Sequence, residues 1–411
     1  MIGNFLKLFS FSKKYGFLNT IIYAFFKIFP GGFVLLLSKG NVEVPFLENP
    51  VYDYTDWSSF GGAQKVTGPP NTKKTYLWFV PDWSNVWGGG HYTLFRFANY
   101  FAQKDTRNII YIYNNERRLT RAKLQAELNE ALPDCRLEVC IDGRYLPECF
   151  AAIATTWQSA YQVRAFPFSK EKYYFMQDYE CYFYPFGTTS LQARTTYTFG
   201  FKGITGGGWL KHCFEIHGGK AQDYLFAADK EIFFPFREEN FIRPKVKRVF
   251  FYGRPSTERR CFELGMQVLK KISEHYPDVE IVIAGLKLAF KPTFQATLLG
   301  NMSLKDTGDL YRTCDIGIAF SATNLSYLPI ELMACGVPVL SNNGPQVEWM
   351  LKNQVNSYLT DPVPQAVFEG FKKLYDDFDL RQMLGMGGVN TMKNITWSSE
   401  MEKIYRYVSN E

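Results

Sequence analysis

The chain has 411 residues, enough for two or three domains of ordinary size. Its net charge of +6 and its 21% content of charged residues are those of a globular protein and exclude general disorder. The basic excess is too small for a typical nucleic-acid binder, so we expect no nucleic-acid partner. Aromatic residues make up 17% of the chain, which is enough for a large core and for aromatic-lined surfaces.

The cysteines are spaced without a CxxC pair or an accompanying cluster of histidines. In a chain of this length, that pattern argues against a disulfide scaffold or a zinc site. It favours small buried thiols and a reducing, cytoplasmic environment.

Residues 1–39 are apolar and basic and contain no acidic residue. An apolar stripe recurs at helical spacing: Leu18, Ile21, Ile22, Phe25, Phe26 and Phe29. Lys27 and the Pro30-Gly31-Gly32 break interrupt the run, which argues against a membrane-spanning helix. The pattern predicts an amphipathic helix on a membrane surface, peripheral on the inner face of the cell membrane. A helix packed on its own domain and a spanning helix remain the alternatives.

Strand and helix signals alternate in the first half of the chain, which predicts a parallel sheet covered by helices. The predicted strands are 76–80, 108–113, 151–155, 172–176, 195–199 and 231–234, and the predicted helices are 91–103, 121–131 and 157–164.

The same alternation restarts after prolines and arginines near 236–247. The predicted strands are 248–252, 279–284, 316–320 and 338–341, and the predicted helices are 261–275, 305–312, 328–335, 364–377 and 397–408. The prediction is an α/β protein of two Rossmann-like, doubly wound domains that face a central cleft. We assign 1–39 to the N-terminal segment, 40–236 to the first domain, 237–393 to the second, and 394–411 to a helix that crosses back to the first.

Two arginines follow the first strand of the second domain and precede a helix. Arg254 and Arg259 stand five positions apart in the loop that begins at Gly253. Guanidinium groups near a helix N-terminus suit a diphosphate, because they form bidentate bonds and the helix dipole adds to their attraction. Solvated surface charges paired with Glu258 and Glu263 are the alternative.

A second candidate feature follows the strand 316–320. Ser326 and Pro329 are expected to start a helix, with Glu331 in its first turn. A carboxylate there would either cap the helix or accept the hydroxyls of a ribose, and the spacing does not decide between them.

Acid or base candidates lie in the first domain. Asp178 and Glu180 follow a predicted strand, where a carboxylate would face the cleft, and His91 follows the glycine run that includes Gly89 and Gly90. We predict Asp178 as the catalytic residue, against the alternative of a cap or loop hydrogen bond. No acidic pair stands where a metal could meet a diphosphate, and arginines already supply positive charge. We therefore expect neither metal nor cofactor.

Together these motifs resemble glycosyltransferase family 4. The Gly-Arg-x4-Arg loop and the run Ser-x2-Pro-x-Glu-Leu-Met-Ala-Cys-Gly-Val-Pro-Val resemble that family's donor-binding half. In the first domain, Phe79-Val-Pro-Asp-Trp83 and Tyr173-Tyr-Phe-Met-Gln-Asp-Tyr-Glu180 resemble the WsaF-type rhamnosyltransferases. The resemblance covers roughly residues 75–408 and implies the GT-B fold.

The resemblance also implies roles for individual residues. Arg254 and Arg259 would hold the donor diphosphate, and Glu331, in the helix begun by Ser326, would hold the ribose. The backbone near Leu304 would meet the base. Gly89 and Gly90 would let the first domain approach the phosphates and the sugar. One position departs from the wider family: Thr323 stands where many members have a second glutamate that faces the sugar.

The expected function is therefore a retaining glycosyltransferase of cell-surface polysaccharide synthesis. The resemblance implies L-rhamnose from dTDP-L-rhamnose as the donor, a glycan or lipid-linked saccharide as the acceptor, and front-face attack assisted by the leaving phosphate. The alternatives are a UDP- or GDP-hexose donor, or a catalytically silent scaffold that binds glycan.

Overall fold

The computed structural model describes residues 73–235, 244–285 and 292–410. The apolar segment predicted at 1–39 and the junction predicted at 236–237 lie outside the described residues, and the domain boundaries stay predictions. Within the part of the chain that the structure describes, no helix is long and apolar enough to span a membrane.

The first domain is built on a seven-stranded parallel sheet in the order β3-β2-β1-β4-β5-β6-β7. Its elements are β1 (Thr75–Val80), α1 (Gly89–Gln103), β2 (Arg107–Ile112), α2 (Arg121–Ala131), β3 (Leu137–Cys140), β4 (Cys149–Ala154), α3 (Trp157–Ala165), β5 (Ser169–Met176), α4 (Thr188–Thr195), β6 (Lys202–Gly206), α5 (Gly208–Glu215) and β7 (Lys220–Tyr224). Every residue of β1 is buried, as expected for a central strand covered on both faces. The strand order reverses between β1 and β4, where doubly wound sheets open a crevice for ligands.

The second domain holds a six-stranded parallel sheet in the order β10-β9-β8-β11-β12-β13. Its elements, followed by the last helices of the chain, are β8 (Arg248–Tyr252), α6 (Phe262–His275), β9 (Glu280–Ala284), β10 (Thr297–Leu298), α7 (Leu304–Tyr311), β11 (Ile316–Ile318), α8 (Tyr327–Ala334), β12 (Val339–Asn342), α9 (Pro345–Glu348), β13 (Tyr358–Thr360), α10 (Pro364–Asp376), α11 (Phe378–Lys393) and α12 (Trp397–Ser409). The switch point lies between β8 and β11, the strands that precede the arginine loop and the Ser326 segment. The predicted fold class, two doubly wound α/β domains, is confirmed.

Two predicted strands are wrong. Residues 195–199 form the end of α4 and a 3-10 turn, in which the Thr196 hydroxyl donates to the Ala193 carbonyl over 2.6 Å. Such side-chain bonds to nearby backbone compete with pairing in a sheet. Residues 231–234 form a turn in which the backbone amides of Ile232 and Phe233 both donate to the Asp229 carbonyl. The last two positions at one end of the first sheet belong instead to β6 and β7, whose Gly and Lys residues hid the strand pattern.

Aromatic side chains fill the first core and receive the last helix of the chain. Phe101 packs edge-on against Trp78, with ring centroids 5.6 Å apart, and against Tyr405 of α12 at 5.2 Å. The Glu400 carboxylate of α12 accepts a hydrogen bond from the Leu225 amide over 2.8 Å. The end of the chain therefore packs on the first domain.

Asn324 joins the two domains through its side-chain amide. This buried group donates to the carbonyl of Gln177 over 3.0 Å and to that of Gly206 over 2.7 Å, at the carboxyl ends of β5 and β6. Its oxygen accepts a bond of 3.0 Å from the Trp349 indole. Gly207 has a φ of +94°, and a Cβ there would lie 2.6 Å from the Trp349 ring, so this contact requires glycine.

Replacing Asn324 with Ala is expected to destabilise the protein by about 2–4 kcal/mol, because the buried carbonyls of Gln177 and Gly206 lose this donor and the Trp349 indole keeps only its bond to the Gln346 carbonyl. Urea unfolding followed by intrinsic fluorescence measures the change. Asn129→Ala, at an exposed position of α2, is the matched control and should change stability by no more than about 0.5 kcal/mol. Equal stability of the two variants would contradict the structural role of Asn324.

Candidate active site

A cleft of about 1010 Å³ lies where the carboxyl ends of the two sheets meet. All the residues predicted for catalysis or donor binding line it: Gly89, Gly90, Asp178, Arg254, Arg259, Leu304, Ser326 and Glu331. The structure therefore brings into one site residues that are separated by more than two hundred positions in the sequence.

The glycine run of the first domain packs against the start of α8 in the second. A Cβ on Gly89 would lie 3.3 Å from the ring of Tyr327, so a larger residue would press on that ring. The Tyr327 hydroxyl lies 2.7 Å from Oγ1 of Thr93, one turn further along α1. Gln177 donates from Nε2 to the Gly90 carbonyl over 2.8 Å. These contacts fix the amino end of α1 at the wall of the cleft.

The arginine loop presents cations that differ in their surroundings. Arg254 is exposed at the cleft. Arg259 donates from Nε to Asp178 over 3.0 Å and lies 4.0 Å above the Phe183 ring, so its partner is not a neighbouring glutamate. Arg260, which the sequence reasoning missed, donates to the Ser321 hydroxyl over 2.7 Å and to the Asn324 carbonyl over 2.9 Å. Burial lowers the pKa of Arg260 to about 10, so it stays charged at neutral pH.

Asp178 holds the arginine loop and the loop after β11 together. Its Oδ2 accepts from Arg259, and its Oδ1 accepts the backbone amides of Asn324 at 2.8 Å and Tyr179 at 2.9 Å. The carboxylate is 7% exposed. Loop hydrogen bonding, the alternative in the sequence analysis, is therefore present, and the catalytic role of Asp178 stays a prediction.

Glu331 is the fifth residue of α8, in its second turn, and not in the first turn as predicted. Ser326 is the N-cap, and its side chain makes no capping bond. Helix capping is therefore excluded for Glu331, a half-buried residue that lines the cleft. The Tyr311 hydroxyl donates to Oε2 over 3.4 Å, which is a weak bond. Burial raises the pKa of Glu331 to about 7, and the Asp229 carboxylate adds to the shift.

Three further positions complete the comparison with the sequence. Leu304 is the first residue of α7 at the cleft wall. The His91 ring packs against Trp83 and Phe95, with centroid distances of 6.3 Å and 6.1 Å, and burial lowers its pKa, which favours the neutral imidazole. Thr323 is 2% exposed and does not line the cleft, and its hydroxyl has no hydrogen-bond partner among the described residues.

The sequence reasoning also missed an ion pair at the cleft. Arg96 of α1 donates from Nη1 to Asp229 Oδ1 over 2.7 Å, and both residues line the site. The Arg96 guanidinium lies 4.3 Å from the centroid of the Tyr92 ring and 5.0 Å from that of Trp397, the first residue of α12. No local motif marks this contact, because its members come from three distant segments of the chain.

Comparison with known proteins identifies the second domain. The family "WsaF, C-terminal domain" matches residues 247–372. These residues are therefore similar to the WsaF C-terminal domain. The resemblance predicted from the arginine loop and the Ser326 segment is thereby confirmed.

The similarity to a second known protein extends beyond this domain to most of the chain. The O-antigen biosynthesis protein RfbC of Myxococcus xanthus is 34% identical over 348 residues, which cover 82% of this chain. The chain spans only 27% of the length of that relative.

Solved structures share the fold of this chain. Sucrose-phosphate synthase from Thermosynechococcus elongatus matches with a TM-score of 0.64 and 11% identity, over 82% of this chain and 99% of that one. HepE from Anabaena, in complex with UDP and glucose, matches with a TM-score of 0.62 and 14% identity, over 82% and 100%. At these identities the likeness concerns the fold, which is the predicted GT-B arrangement.

The raised pKa of Glu331 predicts that Glu331→Gln gains stability relative to wild type as the pH rises. The folded value of about 7 lies above the ordinary 4.5, so ionisation at higher pH penalises the folded wild type but not the amide variant. We expect the gap between the variants to widen by about 1–3 kcal/mol between roughly pH 5 and pH 8. Urea unfolding at both pH values measures it.

Glu402→Gln is the matched control. Lys104, Tyr100 and Arg406 lower the pKa of Glu402 to about 2, so its folded and ordinary values both lie below this window. The stability gap of that variant should stay constant from about pH 5 to about pH 8. A constant gap for Glu331→Gln as well would contradict the buried, protonated state of Glu331.

Proposed function

We propose that this protein is a hexosyltransferase of O-antigen or related polysaccharide synthesis that takes its sugar from a nucleotide diphosphate. The observation that supports the proposal most directly is the single cleft lined by Arg254, Arg259 and Glu331 from the second domain and by Gly89 and Gly90 from the first. The name of the Myxococcus relative and the UDP-bound state of HepE support the same reading.

The chemistry of the cleft suits departure of a diphosphate. Charge builds up on the leaving phosphate as the sugar bond breaks, and fixed cations in a partly enclosed site stabilise that charge. Arg254 is exposed at the site and Arg259 is held beside it by Asp178, so both can meet phosphate oxygens. The amino end of α1 at Gly89 adds backbone N–H groups that favour an anion. Glu331 would accept the ribose hydroxyls.

The donor that we propose is dTDP-L-rhamnose, transferred with retention and without a metal ion. Its support is the resemblance of the motifs to WsaF-type rhamnosyltransferases and the match of the C-terminal domain. A UDP-hexose is the rival donor, and the UDP-bound state of HepE is the observation that favours it. Because dTDP offers only a 3′ hydroxyl to Glu331, a UDP donor would depend more strongly on that carboxylate.

A nucleotide-sugar panel tests the proposal. Purified protein is incubated with dTDP-L-rhamnose, UDP-glucose and GDP-mannose, with and without EDTA, and release of each nucleoside diphosphate is followed. Release from dTDP-L-rhamnose that survives EDTA is expected. Preferential release from another donor would correct the sugar, and binding without any release would favour a catalytically silent scaffold.

Replacing Arg254 with Ala is expected to weaken binding of the nucleoside diphosphate by about tenfold, because one charge-assisted bond to phosphate is worth roughly 1.5–3 kcal/mol. Binding of the nucleoside without phosphate should not change. Calorimetry with both ligands separates the two effects. Arg144→Ala removes an exposed arginine that does not line the cleft and serves as the control. Unchanged diphosphate affinity in folded Arg254→Ala would refute the phosphate role.

We also propose that residues 1–37 attach the enzyme to an anionic membrane surface. The support is the apolar stripe and the flanking lysines of the sequence. Deletion of these residues is expected to abolish co-sedimentation with anionic vesicles while donor turnover persists, and added salt should weaken attachment of the full chain. Salt-resistant binding would indicate a spanning helix. Unfolding of the truncated protein would indicate internal packing.

A further inference from the structure

A second carboxyl group faces the cleft from the first domain and has no role in the function proposed above. Glu180 begins a 3-10 helix, Glu180–Phe183, just after β5, and it lines the cleft beside Thr155 and Thr156. It is 8% exposed. Its Oε2 accepts the backbone amide of Trp157, the first residue of α3, over 2.5 Å, and the Tyr174 hydroxyl over 3.1 Å.

The two oxygens of this carboxyl differ in their partners. Oε2 accepts two hydrogen bonds, and Oε1 has none with any residue that the structure describes. By contrast, the neighbouring hydroxyls are occupied: Thr155 donates to the Phe79 carbonyl, and Thr156 lies 3.0 Å from the Tyr113 hydroxyl. Because Oε2 is filled by donors, a proton on this carboxyl belongs on Oε1.

The surroundings of Glu180 favour the protonated form. The pKa of Glu180 is raised to about 8, chiefly by burial and in smaller part by the nearby Asp178 carboxylate, while the Trp157 amide, the Tyr174 hydroxyl and Arg259 act in the opposite direction. The other titratable groups that interact with it are the phenols of Tyr113 and Tyr197, which carry no charge at neutral pH. The neutral carboxyl is therefore present below about pH 8 and is lost as the pH rises through that value.

We infer that Glu180 donates a hydrogen bond from its neutral Oε1–H to an oxygen of a sugar bound in the cleft. A neutral sugar suits this position, because a protonated carboxyl offers one hydrogen-bond donor and no positive charge for a phosphate. The cations of the cleft that can hold phosphate, Arg254 and Arg259, belong to the second domain. The inference rests on the proposed function, and it makes Glu180 a sugar-binding residue that acts as a donor and not as a base.

Glu180→Gln and Glu180→Ala form a matched pair for the test. The amide keeps a donor at the same position, whereas alanine removes it. Calorimetry measures affinity for UDP and UDP-glucose, and for dTDP and dTDP-L-rhamnose. Within each pair, the affinity for the nucleotide sugar divided by the affinity for the nucleoside diphosphate gives the contribution of the sugar. A second arm titrates methyl rhamnoside and methyl glucoside into protein saturated with the nucleoside diphosphate. Thermal melting verifies that both variants fold.

We expect Glu180→Ala to bind the nucleoside diphosphates like wild type and to lose about three- to tenfold of the sugar contribution, as for one neutral hydrogen bond. A loss in the first arm identifies the sugar of the donor, and a loss in the second arm identifies an acceptor sugar. Glu180→Gln should keep the contribution at pH 7. It should also keep it near pH 9, where wild type loses it.

The possible contrary results separate failure of the proposed function from failure of the role of Glu180. If wild type binds no nucleoside diphosphate, the proposed function fails and this inference fails with it. Nucleotide binding with an unchanged sugar contribution in Glu180→Ala overturns the inference alone. If Glu180→Gln loses the sugar contribution as Glu180→Ala does, the donor role is wrong. If turnover is lost in both variants while sugar binding is unchanged, Glu180 acts as a base and not as a donor.

Discussion

The hydrogen bonds between Asp178 and the Asn324 segment are the constraint on which the cleft depends. Asp178 receives the Asn324 amide on one oxygen and Arg259 on the other, while the Asn324 side chain bonds carbonyls at the ends of β5 and β6. All these groups are buried or partly buried, so each bond that fails leaves a polar atom without a partner. The network therefore sets where the arginine loop stands relative to the first sheet.

Burial explains the charge states in the same cleft. The carboxyls of Glu331 and Glu180 sit among side chains that exclude water, and their pKa values rise to about 7 and about 8. Asp178 differs in its contacts, because an arginine and two backbone amides bond its carboxylate. The neighbours of Glu331 and Glu180, and not their residue type, therefore set the protonation of these two carboxyls.

Local sequence was sufficient for much of the fold and for the candidate site. The helix 121–131 has the predicted bounds, because its pattern and its Thr120 cap are local. The arginine loop and the Ser326 segment were recognisable because a strand, a turn and a helix start follow one another within a few residues. Prediction failed where contacts with distant segments decide the secondary structure. The strands β6 and β7 were missed, and residues 195–199 and 231–234 were taken for strands. Arg96 and Asp229 carry no local signal, because their pairing exists only after α1 and the segment after β7 have packed together.

The sequence by itself determined the fold class and the residues predicted for donor binding, since the order of strands and helices restricts a parallel sheet to few topologies and places strand-end residues on one edge. Only the tertiary structure decided what those residues do to one another. It put Glu331 in the second turn of α8 and paired Arg259 with Asp178. It also buried Thr323 outside the cleft lining and gave Oε1 of Glu180 no hydrogen-bond partner among the described residues. The physical reason is that burial and hydrogen bonding depend on chain segments far apart in sequence, and these set the charge and the contacts of every group in the site.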